Sequence, residues 1–141
     1  MNFGTQVCTT REQSERLLAM GVKKETADMF LTKCFVGNNG TPMLFIGCEY
    51  NSSTVHYSKD DIPAWSLHRL MKLCPDNIHL EDYPDTLYYL TNDPYMVTYE
   101  REDMDTLKRC EKGNVYDRMV DMIEWLINNK YFNKEYLEEA R

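Results

Sequence analysis

The chain has 141 residues, 43% of them hydrophobic and 12% aromatic, a composition that suits a single folded domain over residues 1–141. Its 16 basic and 23 acidic residues give a formal net charge of -7, which disfavours direct binding to nucleic acid or to an anionic membrane surface. The five cysteines are widely spaced and form no CxxC pair, which argues against a disulfide framework or a zinc knuckle.

Residues 1–8 are predicted to form an amino-terminal arm that leads into a pair of short helices. Thr9 or Thr10 can cap the first helix, because each is followed three residues later by the Glu or Gln of a capping box. Gly21 can end this helix in the left-handed conformation. The next segment, VKKETADMF at 22–30, is predicted to form the second short helix.

Two β-prone runs follow, and they predict strands near 31–36 and 43–50. Between them lies Gly37-Asn38-Asn39-Gly40, a cluster that favours the positive φ angles of a hairpin turn. The turn lacks the spacing and the Lys-Ser/Thr ending of a phosphate-binding loop.

The stretch IPAWSLHRLMKLCP predicts a helix over Pro63–Cys74, with Asp60-Asp61 as possible caps and Pro63 in the first turn. Its apolar residues recur at steps of three and four, the spacing of one buried face. Trp65 falls on a flank next to that face. We therefore expect Trp65 to pack at the border of core and surface, where it would anchor the helix on the sheet.

The polar segment DNIHLEDYPD is predicted to be a loop, and strands near 86–91 and 95–100 are predicted on either side of Asn92-Asp93-Pro94. Tyrosine is in excess, with ten residues in the chain. Both faces of this hairpin carry large rings, so either helices cover both faces or one face meets a partner. The candidate partner contacts are Trp65, Tyr88, Tyr89, Tyr95 and Tyr99, although aromatic pairs that only stabilise the sheet are the simpler alternative.

Residues 101–113 are predicted to form an acidic, solvated connection. Asn114 can then cap the most strongly amphipathic helix of the chain, predicted over Val115–Asn129, and Asn133 can cap a last short helix. The predicted fold is α+β, with a small, mostly antiparallel sheet of about four strands from two hairpins. Two main helices and the amino-terminal helix pair pack against it.

No motif assigns a catalytic, cofactor-binding or metal-binding residue, and no cofactor is expected. His56, His68 and His79 show none of the spacings that place metal ligands together. Ser66 lies outside a GxSxG elbow. Cys74 and His79 are the nearest thiol and imidazole pair that could serve a nucleophilic enzyme, but a buried thiol beside a loop histidine is the simpler interpretation.

The segments IPAWSLHRLMKLCP, VYDRMVDMIEWLINNKYF and MGVKKETADMF together carry a resemblance to a known group of sequences. The chain resembles small uncharacterised proteins of phages and conjugative elements of gut Bacteroidales, which share an Ile/Val-Pro-Ala-Trp-Ser segment and a late Trp-Leu helix. The resemblance implies a mobile-element setting and a cytoplasmic location, and it carries no known activity or catalytic residue.

These observations favour a non-catalytic protein-binding or adaptor protein that works with a protein partner or by self-association. One alternative is an inhibitor whose acidic side chains mimic nucleic acid and occupy a DNA-binding host enzyme. Another is a small enzyme with a site around Cys74 and His79. The amino terminus lacks a basic and an apolar leader region, and no apolar run is long enough to span a membrane, so we expect a cytoplasmic protein.

Overall fold

The fold is α+β, as predicted, in a computed structural model that describes residues 6–36, 41–48, 61–101 and 105–139. The helices are α1 (Arg11–Ala19), α2 (Leu67–Leu73) and α3 (Val115–Asn128). The strands are β1 (Met29–Val36), β2 (Thr41–Cys48), β3 (Ile62–Ala64), β4 (Asn77–Leu80), β5 (Tyr83–Asn92), β6 (Val97–Glu100) and β7 (Thr106–Cys110). Two 3-10 turns, Lys24–Thr26 and Lys134–Tyr136, complete the described elements.

The strands form two antiparallel sheets where the sequence suggested one. The first sheet has the order β2-β1-β3 and the second has the order β4-β5-β6-β7. The two predicted hairpins are present as β1-β2 and β5-β6, each within a few residues of the expected bounds. The predicted turn at 37–40 lies outside the described residues. Each hairpin gains further strands, and these additions make two separate sheets.

The amino-terminal helix begins and ends as the sequence predicts. The Thr10 side chain accepts a hydrogen bond from the Gln13 backbone N–H, and the Gln13 side chain accepts one from Thr10, which completes a capping box. Gly21 has φ 95°, and its N–H donates to the Leu18 carbonyl while that of Val22 donates to Leu17. These two bonds are those of a Schellman motif, which satisfies the last carbonyls of α1.

The predicted second helix over 22–30 is wrong, because only the 3-10 turn Lys24–Thr26 forms there. Met29 and Phe30 already belong to β1, where they face Cys48 and Gly47 of β2. The β-prone run that follows therefore extends two residues further towards the amino terminus than its composition indicates. Tertiary pairing overrides the weak helical preference of the segment.

The start of the predicted Pro63–Cys74 helix is also wrong. Residues Ile62–Ala64 form β3, an edge strand paired with β1, and an edge strand tolerates Pro63, which has no N–H to donate. The helix begins at Leu67, and its cap is Ser66, whose side chain accepts from the Arg69 N–H, in place of the predicted Asp60-Asp61.

Two strands of the second sheet arise from segments predicted to be loops. β4 comes from the polar segment after Pro75, and β7 comes from the predicted acidic connection at 101–113. Both lie at the edges of the sheet, where only one neighbour is needed and polar side chains face solvent. Their composition therefore resembles that of loops.

The main core lies between the second sheet and the helices. α3 packs on β6 and β7, and it also contacts α1 and α2. Asn114 caps α3 through its side chain, as predicted, and seven α3 residues are buried. Asn133 caps the 3-10 turn Lys134–Tyr136 where an α-helix was predicted, and the chain then pairs at Leu137 with Val22.

Candidate functional site

Trp65 is a structural anchor with no exposed surface. Its indole Nε1 donates to the Thr26 Oγ1 at 2.9 Å, and its backbone N–H donates to the Thr9 Oγ1 at 3.0 Å. The Trp65 carbonyl accepts from the Thr9 N–H at 2.9 Å. Trp65 therefore lies within the core and not at its border. From its position just before α2, it joins the amino-terminal segment to the 3-10 turn Lys24–Thr26. Trp65 has no exposed surface for the partner contact that the sequence predicts.

Tyr88 and Tyr99 are also core residues. Tyr99 is fully buried, its hydroxyl donates to the Pro75 carbonyl at 2.7 Å, and its ring centroid lies 6.3 Å from that of Trp125. Burial raises the pKa of Tyr99 well above its ordinary value of 10.0. Tyr88 is 7% exposed, and its hydroxyl lies 3.3 Å from an Asp105 carboxylate oxygen. Neither ring has the surface that the predicted partner contact requires.

Tyr89 and Tyr95 are the two predicted contacts that face solvent. Tyr89 is 44% exposed, on the face of β5 opposite to Tyr88, and its cross-strand neighbours are Asn77 and Glu100. Tyr95 is 77% exposed in the turn between β5 and β6. We refer to Tyr89 and Tyr95 as the exposed tyrosine pair.

The turn that carries Tyr95 is fixed by two side chains. Asp93 Oδ1 accepts from the Tyr95 N–H at 2.7 Å and from the Met96 N–H at 2.9 Å. Arg118 of α3 is buried, and its Nη1 donates to the Pro94 carbonyl at 3.2 Å. Sequence patterns suggest the role of Asp93, but they carry no signal for Arg118, which the helix periodicity places on the polar side.

Cys74 and His79, the predicted thiol and imidazole pair, do not share the cleft that lies beside Cys74. Cys74 is buried, and desolvation, with the nearby Cys110, raises its pKa to about 12. A nucleophilic thiol needs the opposite shift, since the thiolate is the reactive form. The cleft beside Cys74, about 320 Å³ in volume, is not lined by His79, which is exposed on β4. Among the described residues, no group of three His, Cys, Asp or Glu side chains could hold a metal ion.

A larger concave surface, which sequence analysis missed, runs along β7. This groove has a volume of about 650 Å³. Residues 108–112 line one side, and Arg16, Asp121, Glu124, Trp125 and Asn128 line the other. We refer to it as the β7 groove. The sequence did not predict this groove, because β7 lies inside the segment predicted to be an acidic connection.

The carboxylates that line the β7 groove are paired within the protein. Arg16 bridges Asp121, at 2.7 Å, and Glu124. These contacts, with Glu124 as the leading cause, raise the pKa of Arg16 above its ordinary value. Arg109 lies 3.4 Å from Glu111. The lining of the groove therefore holds four basic residues against three carboxylates, a small positive balance in a chain whose formal net charge is -7.

Comparison of the chain with protein-family models, curated proteins and solved structures finds no match. In the part of the chain that the structure describes, none of the helices has both the length and the apolar character needed to cross a membrane.

Proposed function

We propose that the chain is a non-catalytic protein-binding or adaptor protein of a phage or mobile element. In this proposal it acts in the cytoplasm and contacts a protein partner, or a second copy of itself, through the exposed tyrosine pair. The observation that carries the proposal is the position of Tyr95, a large ring that is 77% exposed on a turn fixed by Asp93 and Arg118.

The fixed turn supports binding for an entropic reason. A tyrosine ring buries a large area with few rotatable bonds, and its hydroxyl can still find a hydrogen-bond partner. When the backbone beneath the ring is already ordered, less conformational entropy is lost on association. Tyr95 meets both conditions, because its own N–H is bonded to Asp93.

Tyr89 adds a second ring with a polar surround. Asn77 and Glu100 lie directly across from it on the neighbouring strands. An aromatic contact with a polar rim is the usual anatomy of a protein interface.

The state of the buried thiols supports a role without nucleophilic catalysis. Cys74 and Cys110 both have pKa values above the ordinary value of 9.0, in each case chiefly because burial disfavours the thiolate. Each thiol therefore stays protonated at neutral pH. A protonated, buried thiol behaves as a small apolar core residue.

The proposal is tested by affinity capture from a lysate of host cells with three forms of the chain. These are the unchanged protein, Tyr95→Ala and Val7→Ala; the last is the matched control, since Val7 is an exposed apolar residue, at 47%, of the amino-terminal segment. We expect a specific protein to be retained by the unchanged chain and by Val7→Ala, and the affinity of Tyr95→Ala to fall by about 2 kcal/mol or more if Tyr95 is a hot spot.

Sedimentation of the same proteins tests the case in which the partner is a second copy. Thermal unfolding should show equal melting temperatures for all three forms, because an exposed side chain contributes little to stability. Retention of no protein together with a strictly monomeric chain contradicts the proposal. So does equal binding by the unchanged chain and Tyr95→Ala.

A further inference from the structure

The β7 groove follows the free edge of the second sheet. β7 is the last strand in the order β4-β5-β6-β7, and in the described part of the chain it pairs with β6 alone. In an antiparallel edge strand, alternate residues direct their backbone N–H and C=O groups away from the only neighbour. Over residues 108–110 these groups have no other backbone partner among the described residues, so they are available to an additional strand.

The lining of the groove shows that it runs along this edge and not over one face. Successive side chains of a strand point to opposite faces of the sheet. The last three residues of β7, 108–110, nevertheless all line the same groove, which continues at 111–112 beyond the end of the strand. Consecutive residues can share one groove only where it passes along the backbone edge, so an occupant there reaches the unpaired backbone groups of β7.

The charges along the groove favour an anionic occupant. The three carboxylates are paired with arginines. Lys108 and Lys112, by contrast, have no carboxylate partner within 4.0 Å among the described residues. Trp125 adds an apolar surface on the opposite side of the groove.

We propose that the β7 groove binds an extended, acidic segment of a partner protein as an additional strand next to β7. Backbone hydrogen bonds to the β7 edge hold the segment, in the manner of strand addition in other proteins. Its carboxylates pair with Lys108 and Lys112, and its apolar side chains contact Trp125. This surface uses neither Tyr89 nor Tyr95, so the proposal goes beyond the proposed function and does not depend on it.

A different role for the two lysines predicts a different result. Lysine on an edge strand prevents two sheets from pairing edge to edge. In that case the groove has no ligand, and removing the charges produces self-association of the chain instead of a loss of binding. The experiment therefore measures both quantities.

The probe is a phage-displayed library of random peptides that are long enough to span β7. It is selected on the unchanged chain. The enriched peptides are then measured on a double variant, Lys108→Glu with Lys112→Glu, and on a charge-matched control, Lys24→Glu with Lys72→Glu. The control lysines are exposed, lie outside the groove, and change the net charge by the same amount.

We expect enriched peptides with Asp or Glu at alternate positions, and a dissociation constant about tenfold or more weaker on the groove variant than on the control. Proline placed in the middle of an enriched peptide should abolish binding, because it removes a ladder N–H without changing the charge. Hydrogen exchange should slow at the outward-facing amides among 108–110 when the peptide binds.

The proposal is overturned if the library yields no binder, if the enriched peptides lack acidic residues, or if they bind the groove variant and the control equally. It is also overturned if the only effect of the groove variant is self-association. All four outcomes leave the test of Tyr95 unaffected, since capture through the exposed tyrosine pair uses other residues.

Discussion

Replacement of Trp65 by Ala tests the central structural conclusion, that this residue is a core anchor. The side chain is fully buried, and its Nε1 is hydrogen-bonded to Thr26. Truncation of a buried tryptophan typically lowers the free energy of unfolding by about 3–5 kcal/mol, from lost burial and the cavity left behind. The whole free energy of unfolding of a domain of this size is about 5–15 kcal/mol. We therefore expect Trp65→Ala to lose about a fifth or more of its free energy of unfolding.

The assay is urea unfolding at 25 °C, followed by circular dichroism and by the fluorescence of the remaining Trp125. Thr26→Val is the matched control for the polar contacts of Thr26. It preserves the shape but removes the acceptor of the buried indole N–H and the hydroxyl that donates to the Lys23 carbonyl, a loss of about 1–3 kcal/mol. A Trp65→Ala protein within about 1 kcal/mol of the unchanged chain would refute the anchor, since such a value is typical of surface substitutions.

Three further changes test the local structure by the same unfolding measurement. Gly21→Ala should lower stability by about 1–2 kcal/mol, because φ is 95° and a Cβ is unfavourable there; an unchanged value would argue against the left-handed cap. Asn114→Ala should lower it by about 0.5–2 kcal/mol through loss of the α3 capping box, and no loss would contradict the cap. Burial raises the pKa of Cys74 from 9.0 to about 12. The protonated thiol therefore makes its full contribution to the stability of the folded chain below pH 9.0, and this contribution is lost as the pH rises towards 12. Above pH 9.0 the unchanged chain should therefore lose about 1.4 kcal/mol per pH unit more than Cys74→Ala, and parallel curves would exclude the shift.

Local signals in the sequence predicted the features that depend on a few neighbouring residues. The capping residues Thr10 and Asn114, the helix end at Gly21 and the turn at Asp93 are each defined by hydrogen bonds within about four positions. The long apolar stripe of α3 likewise predicts which face of this helix is buried. These features needed no knowledge of distant parts of the chain.

The features that the sequence did not predict are set by distant partners. Pro63 fits the first turn of a helix and an edge strand equally well, and only the pairing of β3 with β1 decides between them. The helix start at Ser66 is also held from a distance, because Asp28 accepts from both its N–H and its hydroxyl. β4 and β7 were missed for the same reason, since edge strands carry the polar residues of loops.

The candidate contacts show the same limit. Alternation along β5 places Tyr88 and Tyr89 on opposite faces, but the sequence puts a large ring on each face and cannot say which one the helices cover. In the structure α3 packs against the second sheet, Tyr88 is buried and Tyr89 is exposed. The β7 groove was beyond prediction, because it requires the edge of a missed strand and side chains from α1 and α3.

The two proposed binding surfaces meet at one end of the second sheet. Val97 pairs with Cys110, so the turn with Tyr95 and the end of the groove with Lys112 each lie two residues beyond the same cross-strand pair. A partner that adds a strand along β7 would therefore reach the turn, and a double-mutant cycle separates one partner from two. With one partner that contacts both surfaces, Tyr95→Ala and Lys112→Glu should both weaken its binding, with a coupling of about 0.5 kcal/mol or more if the contacts interact. With two separate partners, each change should weaken only one complex, because neither substitution removes a contact of the other surface.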